Sequence, residues 1–446
     1  MANLTVDFST VCGAVKPMHC VNNGPIPGRP SGQTRSNLAE YKAAGIPFAR
    51  NHDAAFYSGY GGEHTVDVAF IFPDFSRDPE DETAYDFAMT DKYVADTFLA
   101  GTETFYRLGA KIEHGVKKYN IHPPADFSKW ARICEHIIRH YNEGWADGFR
   151  YDLKYWEIWN EPDLDAEPGR TNFRCWSGTP EQFYELYDVT AKHLKACFPD
   201  IKVGGPALAH HVGEWLDNFI GYVKEHNSPL DFCSWHIYSP DVHKVVERHQ
   251  IVRSKLDAAG FTGTESILNE YNYVKGWTEL FIYSIRQIIG IKGAAFTAGC
   301  MCGCQNAGLD MLMYYDARPT PFNGIFDYYT LEPLKGYYPF AAFNELYKLG
   351  TQYASSSDDS DVFITCAGNS EGKRAVMAVY YTDDDKAKSR GVTLSGDDFS
   401  KYSFRLLDKH LDLEEISIAA DADGSIQIEL LPNSVLLAEK KQQELF

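Results

Sequence analysis

The chain has 446 residues, 44% hydrophobic and 23% charged, and a formal net charge of −20. That length exceeds one ordinary core and predicts a large domain with a smaller companion, while the negative charge and the lack of a basic run exclude a phosphate-tracking nucleic-acid surface. No apolar run reaches the ~18 residues of a membrane span, so no membrane partner is expected. Ten cysteines without an N-terminal signal pattern read as free thiols of a cytoplasmic protein, or of a secreted one if a signal has been trimmed.

Leu4 to Phe8 alternates as a short strand, and Val15 to Val21 reads as a strand closed by the turn Asn22-Asn23-Gly24-Pro25. A helix from Asn37 to Ala44 precedes a strand, Ile46 to Arg50, that delivers Arg50, Asn51 and His52 to its end. The Gly/Pro-punctuated aromatic stretch from Ala54 to Thr90 suggests a loop excursion of the kind that builds binding sites.

From Asp91 strands and helices alternate. Helices are predicted over Asp91–Ala100, Asp126–Glu143, Pro180–Cys197, Val212–His226, Val242–Ala259 and Thr278–Ile289. Strands are predicted over Glu103–Leu108, Lys154–Glu161, Ile201–Gly204, Asp231–Tyr238, Ser266–Glu270 and Gly293–Gly299. Eight such units suit an α/β fold of the closed (β/α)8 TIM barrel type better than an open sheet, and no Gly-x-Gly-x-x-Gly argues for a dinucleotide. Ser355 to Asp361 reads as a polar acidic linker, and short alternating runs from Val362 to Ala438 then predict a C-terminal antiparallel β-sandwich, which Leu4–Phe8 can join. The expected division is a catalytic barrel over residues 11–350 and an accessory sandwich over 351–446, together with 1–10.

Active sites of such barrels lie at the C-terminal ends of the strands. On this assignment strand two offers Arg50 and His52, strand four Asn160 and Glu161, strand six His236 and Tyr238, and strand seven Glu270. Two carboxylates therefore converge on one face. Glu157, four residues before Glu161 and deeper in the barrel, reads as half of a buried structural pair.

Tyr155-Trp156-Glu157-Ile158-Trp159-Asn160-Glu161-Pro162 on strand four, with Leu268-Asn269-Glu270-Tyr271 ending strand seven, resembles clan A of the retaining glycoside hydrolases, most closely family 39, the β-xylosidase and α-L-iduronidase family. The resemblance implies a barrel followed by a β-sandwich and an exo-acting enzyme on an oligosaccharide or glycoside substrate, with neither cofactor nor metal. A homo-oligomer is compatible with it. It implies Glu161 as general acid and base and Glu270 as nucleophile. Arg50 and the Tyr238 hydroxyl would favour ionised Glu270, whereas Glu161, in an aromatic setting beside another anion, would hold its proton. Asn160 and His52 would bind sugar hydroxyls, with His236 on the wall. Trp176, Trp277 and Tyr271 are candidates for stacking on a sugar, each against ordinary core packing. The clan pattern also expects an aromatic residue near the end of strand eight, a place that the Gly293–Gly299 assignment gives to Phe296 and Cys300.

Two other classes compete. One is a catalytically silent carbohydrate-binding barrel, which would be expected to lack one carboxylate. The other is a metal-dependent barrel hydrolase using Cys300, Cys302 and Cys304 on the rim after strand eight, although the CxxC spacing of common zinc sites is absent.

Overall fold

The computed structural model describes residues 1–28, 35–52, 66–166, 169–318 and 320–440, with the backbone alone of 55–57 and 61–64. Eight strands close into a barrel in which every neighbouring pair is parallel: Cys20–Asn22, Phe48–Arg50, Glu103–Leu108, Tyr155–Ile158, Lys202–Leu208, Phe232–Tyr238, Glu265–Asn272 and Met311–Tyr314. Helices occupy the crossovers. The Pro180–Cys197 helix shows how sequence starts one: Thr179 and Gln182 form a reciprocal capping box, and proline sits in the first turn, where its missing N–H costs nothing.

The barrel fills from the bottom with apolar side chains. Cys20, Phe105, Tyr155, Phe232, Ile267, Met311 and Met313 form one buried cluster. One strand repeat higher the interior turns polar, because alternation sends Tyr155 and Glu157 of strand four, and Phe232, Ser234 and His236 of strand six, to the same side. Trp156 and Ile158 point outward into the larger core beneath the helices.

Strand eight differs from expectation. Residues Ile291–Ala307 form a helix, and Met311–Tyr314 closes the barrel instead. This helix lies between the Val242–Ala259 helix and the strand Val362–Gly368, and 13 of its 17 residues are buried. A Cβ added at Gly299 would stand 3.2 Å from Val242 and 3.5 Å from Phe363, so close approach on both sides uses its small residues.

The second layer is a nine-stranded sheet in the order 412–416, 402–407, 434–440, 374–380, 362–368, 351–357, 2–14, 390–395, 426–430. It doubles back over its own core, since Phe404 and Leu430, from strands near opposite ends of that order, share one buried cluster with Val6 and Leu436. The N-terminal strand Ala2–Ala14 joins it, antiparallel to Thr351–Ser357 and parallel to Arg390–Ser395. The first three of the seven residues assigned to a linker are thus ladder: Ser355, Ser356 and Ser357 pair with Val6, Thr5 and Leu4, and the acidic residues after them form the turn. Alternating small polar residues supply one half-exposed face of a strand as well as they supply a linker.

Part of the Ala54–Thr90 excursion lies outside the described residues. The described backbone pairs Ala55–Tyr57 antiparallel with Gly61–His64, and a helical turn over Val68–Ile71 follows. Among the described residues no helix is long and apolar enough to cross a membrane.

Candidate active site

Two backbone irregularities aim the site. In strand seven Leu268 pairs with Trp235 but Glu270 with His236, one extra residue on strand seven. That bulge lets the consecutive residues Asn269 and Glu270 both face the barrel interior. At the end of strand four Trp159 and Glu161 both adopt left-handed backbone, φ 73° and 46°, held by the Trp159 N–H donating to Leu108 O at 2.6 Å and the Glu161 N–H to Ala207 O at 3.0 Å. Gly109 makes room for this turn: a Cβ there would lie 2.9 Å from Trp159 Cα.

Arg50 organises the buried layer. Its Nε donates to Glu157 Oε2 at 2.7 Å, Nη1 to Glu270 Oε1 at 2.9 Å and to Asn22 Oδ1 at 3.2 Å, and Nη2 to Asn160 Oδ1 at 2.7 Å. Glu157 also accepts from Ser234 Oγ at 2.6 Å and Asn269 Nδ2 at 2.5 Å, so it is a fully satisfied scaffold carboxylate. Above it, Glu270 accepts from the Tyr238 hydroxyl at 2.8 Å, with His52 Nε2 at 3.5 Å. His236 Nδ1 stands 2.9 Å from Glu161 Oε1 and 3.5 Å from Glu270 Oε2. Oxygens of Glu161 and Glu270 lie within 4.8 Å of one another. The Nδ2 of Asn160 is buried without a hydrogen-bond partner, a donor left for something that enters the cleft.

Burial pushes the Glu270 carboxyl above the ordinary carboxylate range, although His236, Arg50 and Tyr238 pull it down; the Glu161 charge adds to the rise. Arg50 and Tyr238 thus favour the ionised form as expected, and burial, which the sequence reading did not weigh, acts against them. Both groups reach Glu270, but removing a carboxylate from water outweighs them. Burial also lowers His236 to about 4, so its ring is neutral at pH 7. A neutral ring at this distance donates to a Glu161 carboxylate or accepts from a Glu161 carboxylic acid, and fits either state. Asp163, two residues on, accepts from the Ala209 and His210 N–H groups at 3.0 and 2.6 Å and is raised to about 6, first by burial.

The carboxylates open into a cleft of about 810 Å³ lined by His52, His236, Tyr238, Trp277, Tyr315 and Phe322 among others. Trp277 lines the cleft, is 57% exposed, and packs edge-to-face with Tyr238, 5.1 Å between ring centres, and stacked with Phe281 at 6.0 Å. Trp176 is not there. It is buried, edge-on to Trp159 and Phe183, and its indole N–H donates to Thr179 O at 3.0 Å: core packing decided its place. Tyr271 is likewise core, against Phe296 and Tyr314.

The sequence assignment of strand eight stops short of Tyr315, which directly follows the strand Met311–Tyr314 and lines the cleft; Phe296 and Cys300 belong to the helix behind. The three thiols also move from rim to interior. Cys300 and Cys304 lie four residues apart on one side of the helix, and Cys302 points elsewhere, toward Met377 O at 3.9 Å. All three are buried, with pKa values raised by burial.

The profile of glycosyl hydrolases family 39 matches residues 67–262, which contain Glu161 and its turn. The chain resembles the family 39 glycosyl hydrolases. A β-xylosidase of Geobacillus stearothermophilus is 31% identical over 181 residues, 38% of this chain and 34% of that protein, so the match spans about a third of the relative's length. Over the whole chain the likeness is one of fold. A glucosidase from Croceicoccus marinus superposes with a TM-score of 0.79 at 23% identity, and a monomeric β-xylosidase from Caulobacter crescentus CB15 with 0.69 at 17%, each covering 99% of both chains. The family 39-like barrel thus carries its sequence likeness on the side of strands three to six and its second carboxylate, Glu270, outside the matched residues.

Proposed function

We propose that the chain is a retaining glycoside hydrolase of the β-xylosidase-like, family 39 type, exo-acting on oligosaccharides or smaller glycosides. The observation that carries this reading is the spacing of Glu161 and Glu270, whose oxygens lie within 4.8 Å of one another. Retaining enzymes hold their carboxyl groups ~5 Å apart, whereas inverting ones leave ~6.5–9.5 Å for a water between them.

Two like charges this close resist joint ionisation. In this reading Arg50 and the Tyr238 hydroxyl, which pull Glu270 down against its burial, keep the charge on Glu270 when the pair holds one proton, and that proton stands on Glu161. Glu270 then attacks the anomeric carbon as the Glu161 proton passes to the leaving oxygen. Esterified Glu270 no longer repels an anion, and ionised Glu161, with His236 Nδ1 at 2.9 Å, takes a proton from the water that cleaves the ester. Asn160 Nδ2 and His52 serve the sugar hydroxyls, and Trp277 and Tyr315 its faces. The barrel over 11–350 is the catalytic unit in this reading, and 351–446 with 1–10 the accessory one.

An activated 2-fluoro glycoside, followed by peptide mapping, tests it. A covalent adduct on Glu270 is expected; an adduct elsewhere rejects Glu270 as the nucleophile, and none with any sugar tried rejects the assignment in favour of a silent binding barrel. Glu161→Ala should keep turnover of aryl glycosides with good leaving groups and lose that of natural glycosides, while Glu270→Ala loses both.

A further inference from the structure

On the outside of the barrel, away from the cleft, the helices Phe127–Asn142 and Pro180–Cys197 pack side by side. His193 and Cys197, four residues apart, share one face of the second helix, and Glu135 reaches them from the first. His193 Nε2 lies 2.7 Å from Glu135 Oε2 and 3.9 Å from Cys197 Sγ, and the three potential ligand atoms all lie within 4.8 Å of one another. Each is partly exposed, so an ion has access.

We propose that Glu135, His193 and Cys197 form a surface site for a borderline-soft divalent cation of the zinc class, with water completing the coordination. Thiolate, imidazole and carboxylate together suit zinc and disfavour magnesium or calcium, which take oxygen sets. Tetrahedral bonds of ordinary zinc length separate ligand atoms by about 3.3 to 3.5 Å. The histidine–glutamate pair must open slightly and the histidine–cysteine pair close slightly, both within reach of side-chain torsions. Arg139 does not fill the site: it holds the other oxygen of Glu135 at 2.8 Å, and is itself tied to Glu143 and packed on Phe198. Cys197 is also the last residue of its helix, where unpaired carbonyls favour a cation.

Binding forms bonds from the metal to Sγ, Nε2 and Oε2, releases the Cys197 thiol proton to solvent and leaves the single His193 ring proton on Nδ1. Burial and then the charge of Glu135 raise the free thiol's pKa, and a bound dication offsets them by stabilising the thiolate. The ion staples two neighbouring crossover helices and takes no part in the cleft chemistry, so the inference is independent of the function proposed above.

The test uses the full chain, stripped with a chelator and titrated with Zn2+ against a chromophoric competitor, and in parallel with Co2+. One equivalent of zinc is expected, with a thiolate-to-cobalt charge-transfer band in the near ultraviolet. Cys197→Ser and His193→Ala should each weaken zinc at least tenfold, and Cys197→Ser should remove the band; circular dichroism and melting temperature check that both variants fold. Glu270→Gln serves as a control for the Glu161, His236 and Glu270 trio in the cleft and should leave the zinc stoichiometry unchanged. No uptake by the wild type, equal uptake by the Cys197→Ser/His193→Ala double variant, or uptake lost only in Glu270→Gln would each overturn the proposal.

Discussion

Arg50 Nη1 donates to Glu270 Oε1 at 2.9 Å while the same guanidinium is anchored through Nε to Glu157. The buried ion pair below therefore sets the position and charge of the carboxylate above. A lysine carries the charge but not the planar fork that reaches both partners. Arg50→Lys is expected to lower kcat/KM by two orders of magnitude or more on every substrate. In the proposed mechanism Glu270 acts ionised, and Arg50 lowers its pKa, so the acid limb of the kcat/KM profile should move to higher pH. An unmoved limb would show that Arg50 does not tune Glu270.

Glu157 has no route to the cleft but neutralises Arg50 where neither touches water. Glu157→Ala leaves a buried, half-paired guanidinium and should cost about 3–5 kcal/mol in urea unfolding. A loss below about 1 kcal/mol would mean that Arg50 finds another partner.

The Tyr238 hydroxyl holds Glu270 Oε2 at 2.8 Å. Tyr238→Phe keeps the ring against Trp277 and removes one hydrogen bond to a charged group, worth about 1.5–3 kcal/mol. A 10- to 100-fold fall in kcat with little change in stability is expected. A change in KM alone would assign Tyr238 to binding.

Tyr315 and Trp176 separate cleft from core. Tyr315→Ala should raise KM severalfold and leave the melting temperature nearly unchanged. Trp176→Ala should do the reverse, costing about 3–5 kcal/mol of stability through the cavity it leaves.

His19 offers a pH readout far from the cleft. It is buried against Phe343 and Tyr347, with Nε2 3.1 Å from Gly45 O, and burial lowers its pKa to about 3. Between about pH 3 and 6.5 the unfolded chain binds a proton at this position that the folded chain does not. Stability from this group is therefore complete above pH 6.5 and falls as pH drops through that window. From pH 7 to pH 5 the wild type should lose about 2 kcal/mol more than His19→Asn, as measured by denaturant unfolding at both pH values.

Much of this was legible in the chain itself. Alternation along Tyr155 to Ile158 and Phe232 to Tyr238 separates barrel-facing from helix-facing residues, since a strand repeats every two residues whatever surrounds it. A charged residue where an aromatic strand ends, as at Glu161 and Glu270, marks the wet end of the barrel because the apolar layers below have no place for it. Glu157 was readable as scaffold for the same reason, from its depth.

Where burial is complete, the sequence carries no such sign. Gly293 to Gly299 is small and apolar throughout, and a helix enclosed by the barrel on one side and the sheet on the other needs no polar face, so nothing in its pattern distinguishes helix from strand. Only the packing of Ile291–Ala307 decided that, and with it the place of Tyr315 and the interior position of Cys300, Cys302 and Cys304. The sequence by itself determined which chemical groups stand at the strand ends. The tertiary structure decided how far apart they are and how dry, because distance and desolvation are properties of the whole packed barrel and of no single strand.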